Sequence, residues 1–229
     1  MQRIVIANKN IPDKALNRLK KQGKVILLET KGITYPAVSG HPDIFFCRVE
    51  ETIVVSPDLP ETIINQLKTF KLSFVYAETP TGSAYPATSG LNAVVTSQFI
   101  IHNENHTDPV LLQLTSEKQF IHVKQGYTRC NLIPLKNNRF ITSDKGIEKT
   151  LKKKGLDVLY VEPKSILLPG FEHGFIGGTC GVSGDTVFFI GTLNRFPDGG
   201  KIRNFLRGYQ IVELYNGPLF DGGSLIFIE

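Results

Sequence analysis

The chain has no tryptophan, one methionine and three cysteines among its 229 residues. Cys47, Cys130 and Cys180 are odd in number and show no CxxC spacing, which excludes a disulfide framework and a zinc-finger pattern. The thiols are therefore expected to be reduced and available for chemistry. Long hydrophobic runs are also missing. The longest, such as Val25–Leu28 and Val187–Ile190, fall far short of the roughly 18 apolar residues of a membrane helix. The segment Met1–Asn8 turns polar too soon for a signal peptide, so the expected compartment is the cytoplasm and no membrane partner is expected. Neither Gly177-Gly178 nor Gly222-Gly223 fits a phosphate loop. His102, His106 and His122 lack the spacing of zinc ligands on a helix. No cofactor and no metal are expected.

What is present is ordinary for a globular protein: 41% of residues are hydrophobic and 21% charged, too apolar for a disordered chain. The formal charge is +5. Its lysines cluster in Lys14–Lys24 and Lys145–Lys154, which read as solvated faces of amphipathic helices. The alternative is a surface for nucleic acid or another acidic partner, although no nucleic-acid module signature is visible.

A repeat runs through the whole chain, and repeats dictate architecture. Short hydrophobic strands end on a small or polar residue at Ile4–Asn8, Thr52–Ser56, Phe99–Asn103, Phe140–Ser143 and Val187–Gly191. A helix-length segment follows each: Ile11–Gly23, Leu59–Thr69, Asp108–Leu114, Gly146–Gly155 and Lys201–Arg207. In the longer segments apolar residues recur at helical spacing, as at Ile63, Ile64 and Leu67. A second strand comes next, at Val25–Leu28, Phe74–Ala77, Phe120–Val123, Val158–Val161 and Ile211–Leu214. A Gly- or Pro-bearing loop then leads to another short strand, expected at Asp43–Phe46, Asn92–Val95, Asn131–Pro134, Gly174–Gly177 and Ser224–Phe227. Two of the loops, Tyr35–Gly40 and Tyr85–Gly90, are nearly identical.

Each unit thus reads strand, strand, helix, strand. The first unit lacks its leading strand, and the strand at 224–228 has no helix after it. The two ends complete one another if the chain closes into a ring of five blades. An open α/β sheet is the alternative, but it leaves the extra strand per unit unexplained. All of residues 1–229 are assigned to one domain, with repeats anchored near 4–30, 43–79, 92–123, 131–161 and 174–214 and a closing strand at 224–228.

This pattern resembles the pentein superfamily of five-bladed α/β propellers. That superfamily includes arginine deiminase, dimethylarginine dimethylaminohydrolase, agmatine deiminase and the amidinotransferases. It also includes a non-enzymatic ribosome anti-association factor of similar length. The resemblance implies a site at the ring axis, where polar strand heads converge. There a cysteine attacks a guanidinium carbon, a histidine moves protons and acidic residues hold the guanidinium nitrogens. The chemistry needs these groups, because the carbon is a poor electrophile and the substrate is a cation.

By this resemblance, Asp43 corresponds to the substrate-binding acid and His173 to the catalytic histidine. Both stand three residues after a loop glycine, Gly40 and Gly170. Phe220–Glu229 resembles the stretch around the nucleophile, but the cysteine position reads Ile226 or Phe227 and no cysteine follows Cys180. Cys130 or Cys180 would then be the nucleophile. Cys130 sits at a strand head, where the adjacent Arg129 is expected to lower its pKa. Cys180 lies in a hairpin region just past His173. His41, Glu172, Asn92 and Asn131 complete the candidates for substrate binding; each has a structural alternative as a capping or turn residue. The expected function is a hydrolase of guanidino, amidine or amino-acid-like compounds, with a cationic or amino-acid-like ligand. The alternative is a non-catalytic binding module that meets the ribosome or RNA. At roughly 46 residues per unit, little chain is left for the long loops of larger relatives.

Overall fold

The computed structural model describes residues 3–228. The chain opens with β1 (Ile4–Asn8), α1 (Asp13–Leu19) and β2 (Lys24–Leu28). Next come α2 (Pro42–Phe45), β3 (Phe46–Val49), β4 (Thr52–Val55), α3 (Glu61–Thr69) and β5 (Phe74–Tyr76). The third unit is β6 (Val94–Val95), β7 (Phe99–His102), α4 (Pro109–Leu114) and β8 (Gln119–His122). The fourth is α5 (Thr128–Asn131), β9 (Leu132–Leu135), β10 (Arg139–Thr142), α6 (Lys145–Lys153) and β11 (Asp157–Tyr160). The last is β12 (Cys180–Ser183), β13 (Thr186–Phe189), α7 (Gly199–Phe205) and β14 (Gln210–Glu213), followed by β15 (Ile226–Ile228).

These elements make five three-stranded sheets, the blades of a propeller. In each, a leading strand pairs antiparallel with a central strand, which pairs parallel with a third strand across the helix. Closure is as expected: β15 pairs antiparallel with β1, setting Ile4 opposite Ile228 and Ile6 opposite Ile226. The leading strands stand innermost and meet around the axis, β3 beside β6, β9 beside β12, and β12 beside β15.

The central strands are covered on both sides, which is why they read as unbroken hydrophobic runs rather than alternating ones. The helices follow the one-faced pattern. In α6, Ile147 and Leu151 are buried, Asp144 caps the first turn by accepting from the Ile147 N–H at 2.8 Å, and lysines fill the last turn. Buried apolar residues fall into five clusters, each shared by two neighbouring blades. One joins β1, β2 and β15 to β3, β4 and α3. The others close the remaining junctions in turn. A ring has as many seams as blades, so each blade packs against a neighbour on both sides, while β2, β5, β8, β11 and β14 form the outer edges.

Several leading strands begin later than the sequence pattern suggests. Pro42–Phe45 forms one helical turn instead of strand, because Pro42 occupies the first helical position, where its fixed φ is favourable. Strand β3 then starts at Phe46. Similarly Thr128–Asn131 is a helical turn, and β9 starts at Leu132. The largest shift is in the last unit. Gly174–Gly177 is not strand; Gly177–Thr179 turns as a 3-10 helix and the strand is Cys180–Ser183. No helix among the described residues is long and apolar enough to cross a membrane.

Candidate functional site

The turns ahead of the leading strands bring five strand heads together at one end of the axis, and hydrogen bonds link them in a closed circuit. Asn92 Nδ2 donates to the Asp43 carbonyl at 2.9 Å, while the Cys130 N–H donates to Asn92 Oδ1 at 3.1 Å. Arg129 Nη1 donates to the Gly177 carbonyl at 3.1 Å. The Ser224 N–H donates to the Gly178 carbonyl at 2.9 Å, and the Asp43 N–H donates to the Gly223 carbonyl at 3.0 Å. Two glycines are required by this crowding. A Cβ on Gly178 would collide with the Asp221 carboxylate, and Gly223, at φ 74°, would drive one into His41.

Inside the circuit, Asp43 is fully buried. Its Oδ2 accepts from the Cys130 thiol at 3.2 Å and from Ser224 Oγ at 2.6 Å. Its Oδ1 is buried with no hydrogen-bond partner. Such an orphaned acceptor is costly. Asn92 Nδ2 lies 3.2 Å from the Cys130 sulfur and donates to it.

A cavity of about 110 Å3 opens against this cluster. Its polar lining comes from Cys130, His41, His173 and Asp221, and its walls include Tyr35, Tyr127, Phe171 and Phe175. Asp221 is buried. It accepts from the Gly223 N–H at 3.0 Å and the Phe175 N–H at 2.8 Å, and His41 Nδ1 lies 3.9 Å from its Oδ1. Burial pushes the Asp221 carboxyl above its ordinary value; His41 opposes that rise and the Asp43 charge adds to it. The Cys130 thiol is raised well above its usual range, first by burial and then by the charges of Asp43 and Asp221. His173 Nδ1 lies 2.9 Å from the Gly174 carbonyl. A carbonyl only accepts, so Nδ1 is the donor in this contact.

The two near-identical loops converge here. Tyr35 of the first shares a 2.9 Å hydrogen bond with the Tyr127 hydroxyl. Thr88 of the second meets the same hydroxyl at 2.5 Å, and Tyr85 stands edge-on to the Tyr127 ring at 5.3 Å.

Of the residues singled out by sequence, Asp43, His41, Cys130, Asn92 and His173 gather at this end of the axis. The others do not. Cys180 is fully buried in the first strand of the β12–β13 hairpin, and burial pushes its thiol to about 12. Asn131 is tied to the Tyr127 carbonyl at 3.0 Å and to Ser143 Oγ at 3.0 Å, a fastening between α5 and the end of β10. Glu172 is exposed. The expected influence of Arg129 on Cys130 is also corrected. Its guanidinium turns away to the Gly177 and Cys180 carbonyls, where its charge acts on the Cys47 and Cys180 thiols instead. Asp221, Tyr35, Tyr127 and Ser224 join the site without being evident from sequence. Asp221 is signalled only by its place ahead of Gly222-Gly223, and Tyr35 by the repeated loop. Among the described residues no group of three His, Cys, Asp or Glu side chains is placed to hold a metal ion.

Five blades closed on an axial cluster of polar strand heads define a pentein-fold protein built like the guanidino-modifying enzymes. Solved structures share that fold. Dimethylarginine dimethylaminohydrolase from Pseudomonas aeruginosa, in complex with citrulline, is 8% identical with a TM-score of 0.57, covering 93% of this chain and 92% of its own. A substrate-bound agmatine deiminase from C. jejuni is 10% identical with a TM-score of 0.62, covering 100% and 94%. An amidinotransferase of the saxitoxin pathway from Microseira wollei is 12% identical with a TM-score of 0.60, again covering 100% and 94%. Within this fold the chain belongs to a family of unknown function, DUF6873, whose model matches residues 6–226. No curated protein matches the chain at significant sequence similarity. These neighbours lend no support to the ribosome or RNA reading.

Proposed function

We propose that the axial cavity binds a small guanidinium- or amidinium-type cation and hydrolyses one of its C–N bonds, with Cys130 as nucleophile and His173 as the proton carrier. The observation that carries this reading is the pairing of two buried carboxylates, Asp43 and Asp221, around one buried thiol. Buried charges are stable only when paired, and a planar cation offers both charge and N–H donors to them. Asp221 lines the cavity as the direct acceptor, and Asp43 stands behind Cys130 and adds its charge to the site.

The same cation activates the thiol. Asp43 and Asp221 hold Cys130 protonated, and a bound positive charge offsets both. The thiol proton passes to His173 Nε2 as the sulfur attacks the central carbon and a C–S bond forms. His173 returns that proton to the departing nitrogen, the C–N bond breaks, and ammonia or an amine leaves. Water, giving a proton to His173, adds to the same carbon. The C–S bond breaks, the sulfur regains its proton, and a urea or amide is the product.

A second reading, binding without turnover, is favoured by the strongly raised resting thiol. One assay separates the two. The protein is incubated with guanidine, alkylguanidines, agmatine, arginine and simple amidines while ammonia, amine and urea are measured. Product release that disappears in Cys130→Ser supports hydrolysis. Calorimetric binding with no product supports the second reading, and neither binding nor product overturns both.

A further inference from the structure

The opposite end of the axis carries a separate cavity, of about 370 Å3, formed by the far ends of the leading strands. Its origin lies in the repeat. The third residue of β3, β9 and β12 is Arg48, Pro134 and Val182, in each case the one partly exposed position on an otherwise buried strand. Propeller symmetry therefore opens the same level of three blades into one mouth. That volume falls in the range of small-molecule sites.

Two guanidinium groups line it. Arg48 donates to the Phe227 carbonyl at 2.9 Å and to the Glu50 carbonyl at 2.7 Å. Its nearest carboxylate, on Glu51, is 3.8 Å away with its side chain 81% exposed. Arg129 donates to the carbonyls of Gly177 at 3.1 Å, Cys180 at 3.3 Å and Leu132 at 3.4 Å. Carbonyls satisfy N–H groups but bring no counter-charge. The Glu50 carboxylate is already paired with Lys118 at 2.7 Å, so it does not neutralise Arg129. The mouth thus holds an excess of positive charge beside apolar walls such as Phe46, Val94 and Phe227. Guanidinium is the side chain that suits a planar carboxylate, and its cost of burial falls when an anion meets it.

We propose that this second mouth is a binding site for an organic carboxylate with a compact apolar body, the carboxylate meeting Arg48 and Arg129 and the body lying against the strand walls. The site is distinct from the cavity that holds Cys130 and His173, and it stands whether or not that cavity is catalytic.

Isothermal titration of the whole protein with benzoate tests this, with benzamide as the uncharged isostere and inorganic phosphate as a bare anion. One benzoate per chain is expected, with benzamide and phosphate each weaker by about tenfold or more. Val182→Trp fills the mouth without altering either arginine, and Arg48→Gln removes a partly exposed charge. Each is expected to weaken benzoate by about tenfold or more with the unfolding curve retained. Unchanged benzoate affinity in the variants overturns the location. Benzamide binding as tightly as benzoate overturns the role of charge, and phosphate binding as tightly overturns the apolar subsite. No heat from benzoate at millimolar concentration overturns the site itself.

Discussion

The Cys130 thiol donates a hydrogen bond to Asp43 Oδ2 across 3.2 Å, with Asp43 fully buried behind it and Cys130 at the wall of the axial cavity. The two residues stand 87 positions apart in sequence. A thiol beside a carboxylate keeps its proton, so this contact sets the resting state of the site. It predicts that Asp43→Asn makes Cys130 more reactive. Removing the neighbouring charge takes away one cause of the raised thiol, and the pH profile of alkylation moves to lower pH. Iodoacetamide labelling of Cys130, followed by mass spectrometry across pH 6–10, checks the direction. A profile that stays in place or moves up would show that the carboxylate does not govern the thiol.

Ligand binding is expected to stabilise the fold and to depend on Asp221. At a hundred times its dissociation constant a ligand adds about 2.7 kcal/mol. In a chain of this size that raises the melting temperature by roughly 5–10 °C. A guanidinium compound that binds the axial cavity is predicted to do so in the native protein and to lose most of the effect in Asp221→Asn. Gly178→Ala is predicted to lose it too, because the added methyl collides with the Asp221 carboxylate. Differential scanning calorimetry with and without ligand measures both.

His102 predicts an acid-sensitive stability. It is buried between Thr107 Oγ1 and the Gly126 carbonyl, each at 2.8 Å, and burial pushes it down to about 4 from an ordinary 6.5. Between those values the unfolded chain binds a proton that the folded chain does not, so stability rises with pH across this window. The contribution is full above about 6.5 and is lost as pH falls toward 4. At about 1.4 kcal/mol per pH unit it amounts to roughly 3 kcal/mol. Urea unfolding at pH 7 and pH 5, compared between the native protein and His102→Gln, is expected to show a smaller pH dependence in the variant.

Tyr127→Phe removes the hydroxyl on which Tyr35 and Thr88 both close. The expected loss is about 1–3 kcal/mol, because two partly buried partners are left unpaired. Chemical denaturation reads the loss. Faster proteolysis in the loops 35–40 and 85–90 would show that it is felt where the two loops meet.

Much of the architecture is legible in the sequence. Strand, helix and strand boundaries follow hydrophobic periodicity, and the unmatched segments at Ile4–Asn8 and 224–228 favour a ring over an open sheet. The leading strands start later than that periodicity implies, because Pro42 and Gly177-Gly178 put a turn where the apolar pattern alone reads as strand. At the site, Asp43, Cys130 and His173 can be singled out by residue type and by their place at a strand head or after a loop glycine. Cys180 satisfies similar criteria and yet packs in the apolar seam between the fourth and fifth blades, with its carbonyl held by Arg129.

The sequence by itself carries the repeat, a hydrophobic unit that favours a ring of blades over an open sheet. The pairing of β15 with β1 is what the folded chain adds to decide between them. Which polar residues share a cavity, and what charge they carry there, is a property of the folded ring. Asp221 and Cys130 lie 91 positions apart, and no local pattern links them. Only closure of the five blades brings them to one axis, where burial lets the Asp221 charge act on the Cys130 thiol.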